Sequence, residues 1–124
     1  MASVELGELN KMKKILAVDF DGTIVENDYP LMGKPIADAV ETLLELQSMG
    51  YALMLWTCRE DSLLAVAVEY CEGNGLVFDA VNESMVFDSR KPFANYYIDD
   101  RNIGGMPDWK TIKELLTPAG YLVE

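Results

Sequence analysis

Ile15-Leu16-Ala17-Val18-Asp19-Phe20-Asp21-Gly22-Thr23 is the stretch on which the reading of this chain turns. Its first four residues are a continuous apolar run, β-branched at both ends. That suits a strand buried on both faces, as in a parallel sheet. The run stops at Asp19. Two carboxylates two residues apart then sit on a turn at the strand end. They are costly to place together unless a cation neutralises them. Gly22 lets the backbone approach a ligand closely. An acidic turn with a glycine is also a common surface feature, so the stretch takes its meaning from its surroundings.

Downstream, Pro35 suits the first position of a helix. Ile36, Val40, Leu43, Leu44 and Met49 fall near one face of it, and Gly50 closes it. Tyr51 to Trp56 reads as a second strand, ending at Thr57. Asp61 suits the N-cap of a helix with Leu64, Ala67, Val68 and Cys71 inward, closed by Gly73 and Gly75. Val77 to Val81 is a weaker strand. Tyr96 to Ile98 is a fourth, stopping at Asp99-Asp100. Asp108 caps a last helix carrying Trp109, Ile112, Leu115 and Leu116. Tyr121 to Val123 would add an edge strand. Strands alternating with helices predict an α/β fold, a three-layer, doubly wound (Rossmann-like) parallel sheet with helices on both faces. Residues 12–124 form one domain, and the polar residues 1–11 read as a flexible extension. Ligands of such sheets bind at the carboxyl ends of the strands, where Asp19, Thr57 and Asp99 fall.

Composition narrows the chemistry. The 124 residues carry a formal net charge of -11, which argues against broad nucleic-acid binding, since phosphate neutralisation supplies most of that affinity. No histidine is present, which removes Ser-His-Asp and Cys-His catalysis and every histidine metal site. The two cysteines, Cys58 and Cys71, form no Cys-x-x-Cys pair, and the Cys-x5-Arg spacing meets Leu64 instead. They read as reduced thiols of a cytoplasmic protein. No apolar run approaches a membrane helix.

Further groups fall in order along the chain. Thr57 ends the second strand with Arg59 just beyond it, Lys91 precedes the fourth strand, and Asp99-Asp100 ends it. Each alone is ordinary. Together they bring two carboxylates, a hydroxyl, a cation and an acidic pair to one sheet edge. Arg59, Arg90, Lys91 and Arg101 are four of the ten basic residues, and their clustering suggests a cationic rim around an anionic substrate.

This strand-Asp-x-Asp-Gly-Thr start, followed by Thr57, Lys91 and Asp99-Asp100, resembles the four motifs of the haloacid dehalogenase (HAD) superfamily. The resemblance covers residues 12 to about 116. It implies a phosphohydrolase with Asp19 as nucleophile, forming an aspartyl-phosphate. Asp21 would be the acid that protonates the leaving group and then the base that activates water, the acid role requiring a raised pKa. Thr57 and Lys91 would hold the phosphoryl oxygens. Phe20, Gly22, Thr23, Cys58, Arg59 and Arg101 would meet the substrate, the 20–22 turn through its backbone N–H groups. Mg2+ would sit between Asp19, the Asp21 carbonyl, Asp99 and Asp100, with Asp100 the expected direct ligand.

Members of that superfamily carry substrate-selecting caps after the first motif or between the second and third. Here Thr23 to Pro35 holds a short flap, and Thr57 to Lys91 holds a helix, a strand and a loop. The chain therefore looks capless, open to a phosphorylated small molecule or a phosphorylated macromolecule end, or to a lid borrowed from a second copy in a homo-oligomer. Tyr29, Leu31 and Met32 would touch substrate or a partner, or pack down on the domain. Two other readings use the same fold: a phosphorylation switch, whose acidic pair and acceptor Asp come in a different strand order, and a non-catalytic phosphate-binding module.

Overall fold

The computed structural model describes residues 13–121. The extension expected over residues 1–11 lies outside them, as does most of the strand expected at Tyr121–Val123; Tyr121 itself is in no strand. The elements run β1 (Ile15–Val18), α1 (Ala39–Ser48), β2 (Ala52–Leu55), α2 (Asp61–Gly73), β3 (Ala80–Val81), β4 (Tyr96–Ile98) and α3 (Trp109–Leu116).

The pairings between these strands are all parallel, and the strand order is β3-β2-β1-β4. Leu16 lies between Leu53 and Tyr96, and Val18 between Leu55 and Ile98. The central strand β1 is buried at all four positions, as its unbroken apolar run predicts. The chain winds outward from β1 through β2 to β3, then returns past β1 to form β4. The reversal falls at the β1/β4 boundary, where such sheets open a crevice at their carboxyl ends.

The winding decides what covers each face. Right-handed crossovers in one direction put α1 and α2 on the same side. One core cluster joins Leu16, Val18, Leu53 and Leu55 to Leu43 and Leu46 of α1, Ala67 and Cys71 of α2, and Trp109, Ile112 and Leu116 of α3. The return from β3 to β4 belongs on the opposite face. It contains no helix, and Val86 and Ala94 fill that face with Phe87 and Phe93 over Ile15, Ala17 and Met54. The two rings meet edge-on at 5.6 Å. The parallel α/β sheet suits a Rossmann-like winding. The expected helices on both faces do not form among the described residues, since the third layer is a loop.

Other boundaries shift for local reasons. Pro35 does not start α1. It bridges antiparallel to Val25, and the next residue, Ile36, donates its N–H to Ile24 O at 3.0 Å. The helix waits until Asp38, which turns the chain at φ 68. Asp61 is the first residue of α2, with Glu60 before it and no side-chain cap. β3 shortens because the Asp79 carboxylate takes the Leu53 N–H at 2.7 Å. Asp108 caps α3 as expected, accepting from Thr111 N–H at 2.8 Å. Trp109, Ile112 and Leu116 bury one stripe of that helix, each contributing about 1.5–3 kcal/mol, while Leu115 is exposed.

Candidate active site

Asp19 leaves β1 with its N–H on Ile98 O at 3.0 Å. That bond sets the end of β1 against the end of β4 and brings Asp19 beside Asp99 and Asp100. The three carboxylates can each offer an oxygen with all three oxygens within 4.8 Å of one another. Thr23, fully buried, ties Asp19 to Asp100. Its hydroxyl lies 3.2 Å from Asp19 Oδ2 and 3.5 Å from Asp100 Oδ1, and accepts from Asp100 N–H at 3.2 Å. The Thr23 carbonyl in turn accepts from Trp109 Nε1 at 2.9 Å, so the core of α3 anchors the acid turn. Gly22 is required here. Its φ is +87, and a Cβ would collide with the Asp100 carboxylate.

No salt bridge reaches these three acids among the described residues. Burial pushes the Asp19 carboxyl up from 3.8 to about 7, helped by hydrogen bonding with Asp100 and by the charge of Asp99. Three crowded carboxylate oxygens fit a hard divalent cation, the class to which magnesium belongs. Both Asp99 and Asp100 could contribute an oxygen to such an ion.

Asp21 is placed differently. Arg59 donates Nε to Asp21 Oδ2 and Nη2 to Asp21 Oδ1, both at 2.8 Å. This is a bidentate fork on a nearly enclosed pair, 1% and 14% exposed. The expectation that Arg59 belongs to an open cationic rim is therefore corrected. It is buried, and its other donors go to Leu31 O at 2.9 Å and Leu63 O at 3.2 Å.

A cleft of about 500 Å³ opens over the acids, lined by Asp19, Asp21, Asn27, Tyr29, Thr57, Cys58, Asp99 and Arg101. Arg101 is the basic side chain on this lining. Thr57 also lines the cleft, and its hydroxyl oxygen accepts from Arg59 N–H at 3.1 Å. Phe20 does not reach the cleft with its ring, which is fully buried against Tyr70. Lys91 is not brought to the lining. Its Nζ rests 4.5 Å from the centre of the Tyr97 ring. The flap folds back on the domain: Glu26 N–H bonds Lys34 O at 2.7 Å, Met32 packs on the core, and Leu31 stays exposed. A second hollow of about 380 Å³ lies between β4 and α3. It is mainly apolar and gathers no comparable set of charged groups.

Two contributors were not legible in the sequence as site residues. Asn82, at φ 53, accepts from Thr57 N–H at 2.8 Å and so fixes the loop after β2. Asn27 lines the cleft from the flap, beside Tyr29, whose expected place at the substrate side is where the structure puts it. An asparagine following a strand tolerates the left-handed region, which is the one signal that would have marked Asn82.

No family model matches this sequence, and none of the curated proteins does. A solved structure of a conserved protein from Bacteroides thetaiotaomicron is similar, with 49% sequence identity and a TM-score of 0.80. The match covers 84% of this chain and 89% of the other. At that identity and coverage, this chain belongs to the same family as the conserved Bacteroides thetaiotaomicron protein.

Proposed function

We propose that this protein is a magnesium-dependent phosphohydrolase of HAD type that works through an aspartyl-phosphate on Asp19. The observation that carries this reading is the trio of Asp19, Asp99 and Asp100 at the β1/β4 crevice, which no salt bridge reaches among the described residues. A divalent cation held there would offset the three negative charges and polarise a phosphoryl oxygen.

The chain's own residues then divide the work. An Asp19 oxygen attacks phosphorus, and the bond to the leaving oxygen breaks with its electron pair going to that oxygen. Asp21 gives the leaving oxygen a proton. Water next attacks the phosphorus, its proton passes to Asp21, and the Asp19 carboxylate is released with orthophosphate. Thr57 and Arg101 face the cleft with a hydroxyl and a guanidinium for the phosphoryl oxygens. Lys91 would join them by leaving the Tyr97 ring, a contact worth only about 0.5–1 kcal/mol at an exposed site. Among the described residues nothing caps the cleft, so the leaving group can be a small molecule or the end of a larger one.

The test is phosphate release from an aryl phosphate, with magnesium and with chelator, by wild type and Asp19→Asn. Release should need both the metal and Asp19, the substitution lowering it by about a thousandfold or more. Wild-type turnover by Asp19→Asn would sink the nucleophile assignment. A lasting aspartyl-phosphate after treatment with acetyl phosphate would favour a switch.

A further inference from the structure

We infer that Arg59 is a positioning residue, which aims the Asp21 carboxylate at the water that cleaves the aspartyl-phosphate; this rests on the phosphohydrolase reading above. Arg59 is 1% exposed, a costly place for a charge unless its geometry matters. A guanidinium has five N–H donors. Four hydrogen bonds use them, two to Asp21 and one each to Leu31 O and Leu63 O. The plane is also held by rings, Phe20 at 5.2 Å and Tyr29 at 5.4 Å. The backbone is fixed as well, since Arg59 O accepts from Asn82 Nδ2 at 3.4 Å. Arg59 thus joins the nucleophile turn, the flap and the start of α2.

Such a clamp leaves Asp21 little rotational freedom. Each carboxylate oxygen has two acceptor sites, and the fork fills one on each. The remaining sites belong to an acid that lines the same cleft as Asp19. Both oxygens accept from the one fork, so the direction of the remaining acceptor sites is fixed. The second half-reaction needs a proton acceptor held in one direction. Water oxygen bonds to phosphorus, the bond from phosphorus to the Asp19 oxygen breaks with its pair returning to Asp19, and the water proton goes to Asp21. A lysine would hold Asp21 at one point only. The Leu31 carbonyl makes the flap part of the clamp.

The experiment separates the two half-reactions with 2,4-dinitrophenyl phosphate, whose leaving group departs without a proton. Arg59→Gln should lower kcat on the order of a hundredfold, as for a misplaced catalytic group. KM should fall with it, so that kcat/KM falls far less. A burst of dinitrophenolate approaching one per chain should appear, with phosphate trapped on Asp19. Arg59→Lys keeps the charge and should show the same split at smaller size, which serves if the glutamine variant does not melt cooperatively. Equal losses in kcat and kcat/KM without a burst, in a folded variant, would overturn the inference while leaving the phosphohydrolase intact. Absence of any Asp19-dependent release by wild type would overturn both.

Discussion

Asp19 and Asp21 stand two residues apart on one turn, yet their surroundings are opposite. Asp19 faces two more carboxylates and makes no salt bridge among the described residues, and its carboxyl is pushed up to about 7. Asp21 faces one guanidinium that engages both of its oxygens. The first arrangement is electrostatically incomplete and suits a cation brought from solution. The second is complete within the chain. On the proposed reading, one short motif places a metal site and a fixed proton acceptor side by side: alternate residues leaving a strand point to different neighbours, β4 in one case and the loop after β2 in the other.

The largest stability effect should come from breaking the complete arrangement. Arg59→Gln strands Asp21 without its partner and should cost about 3–5 kcal/mol, the usual result of halving a buried pair. Asp21→Asn leaves the guanidinium short of an anion and should also destabilise. The double substitution should recover part of the loss, giving a coupling energy of about 0.5–3 kcal/mol in urea unfolding. Strict additivity would mean that the fork is not the interaction that matters.

The incomplete arrangement should respond to pH and metal instead. The folded Asp19 pKa of about 7 lies above its ordinary value of 3.8, so the folded protein holds a proton that the unfolded chain has lost. Its stabilising contribution is therefore full below about pH 4 and disappears as pH rises through about 7. In chelator, wild type should lose melting temperature relative to Asp19→Asn between pH 4.5 and 7.5. Magnesium should close that gap at pH 7.5, because a ligand bound only by the folded state stabilises it. A gap that ignores both pH and magnesium would remove the picture of three crowded acids.

Much of this contrast was legible from residue order. Ile15–Val18 and Tyr96–Ile98 match β1 and β4 at both ends, because short apolar runs stopped by aspartate leave little freedom in where a parallel strand ends. The acid trio follows from that placement. Its partners were less legible. Nothing local distinguishes a buried Arg59 from a rim arginine, since its burial depends on the flap carbonyl at Leu31 and on the ring of Tyr29. Pro35 satisfied a helix-start rule, but pairing with Val25 claimed it first. The missing helix layer is a tertiary outcome as well. Phe87 and Phe93 lie in a segment with neither strand nor helix periodicity, and only the return path of the sheet gives them a face to cover.

The cysteines repeat the contrast at the smallest scale. Cys58 is exposed on the cleft beside Thr57. Cys71 is fully buried in α2, and burial pushes its thiol up to about 12, with some help from Glu72. Thiolate is the reactive form, so Cys71 should stay silent at pH 8 while the fold holds. A disulfide reagent should titrate one thiol per native chain and two in denaturant. Magnesium with orthophosphate should slow the native reaction several-fold, because Cys58 shares its cleft with the acids that would hold them. Fast reaction of both thiols would mean that α2 opens readily. Unchanged labelling of Cys58, under conditions where magnesium and phosphate raise the melting temperature, would place their binding site elsewhere than this cleft.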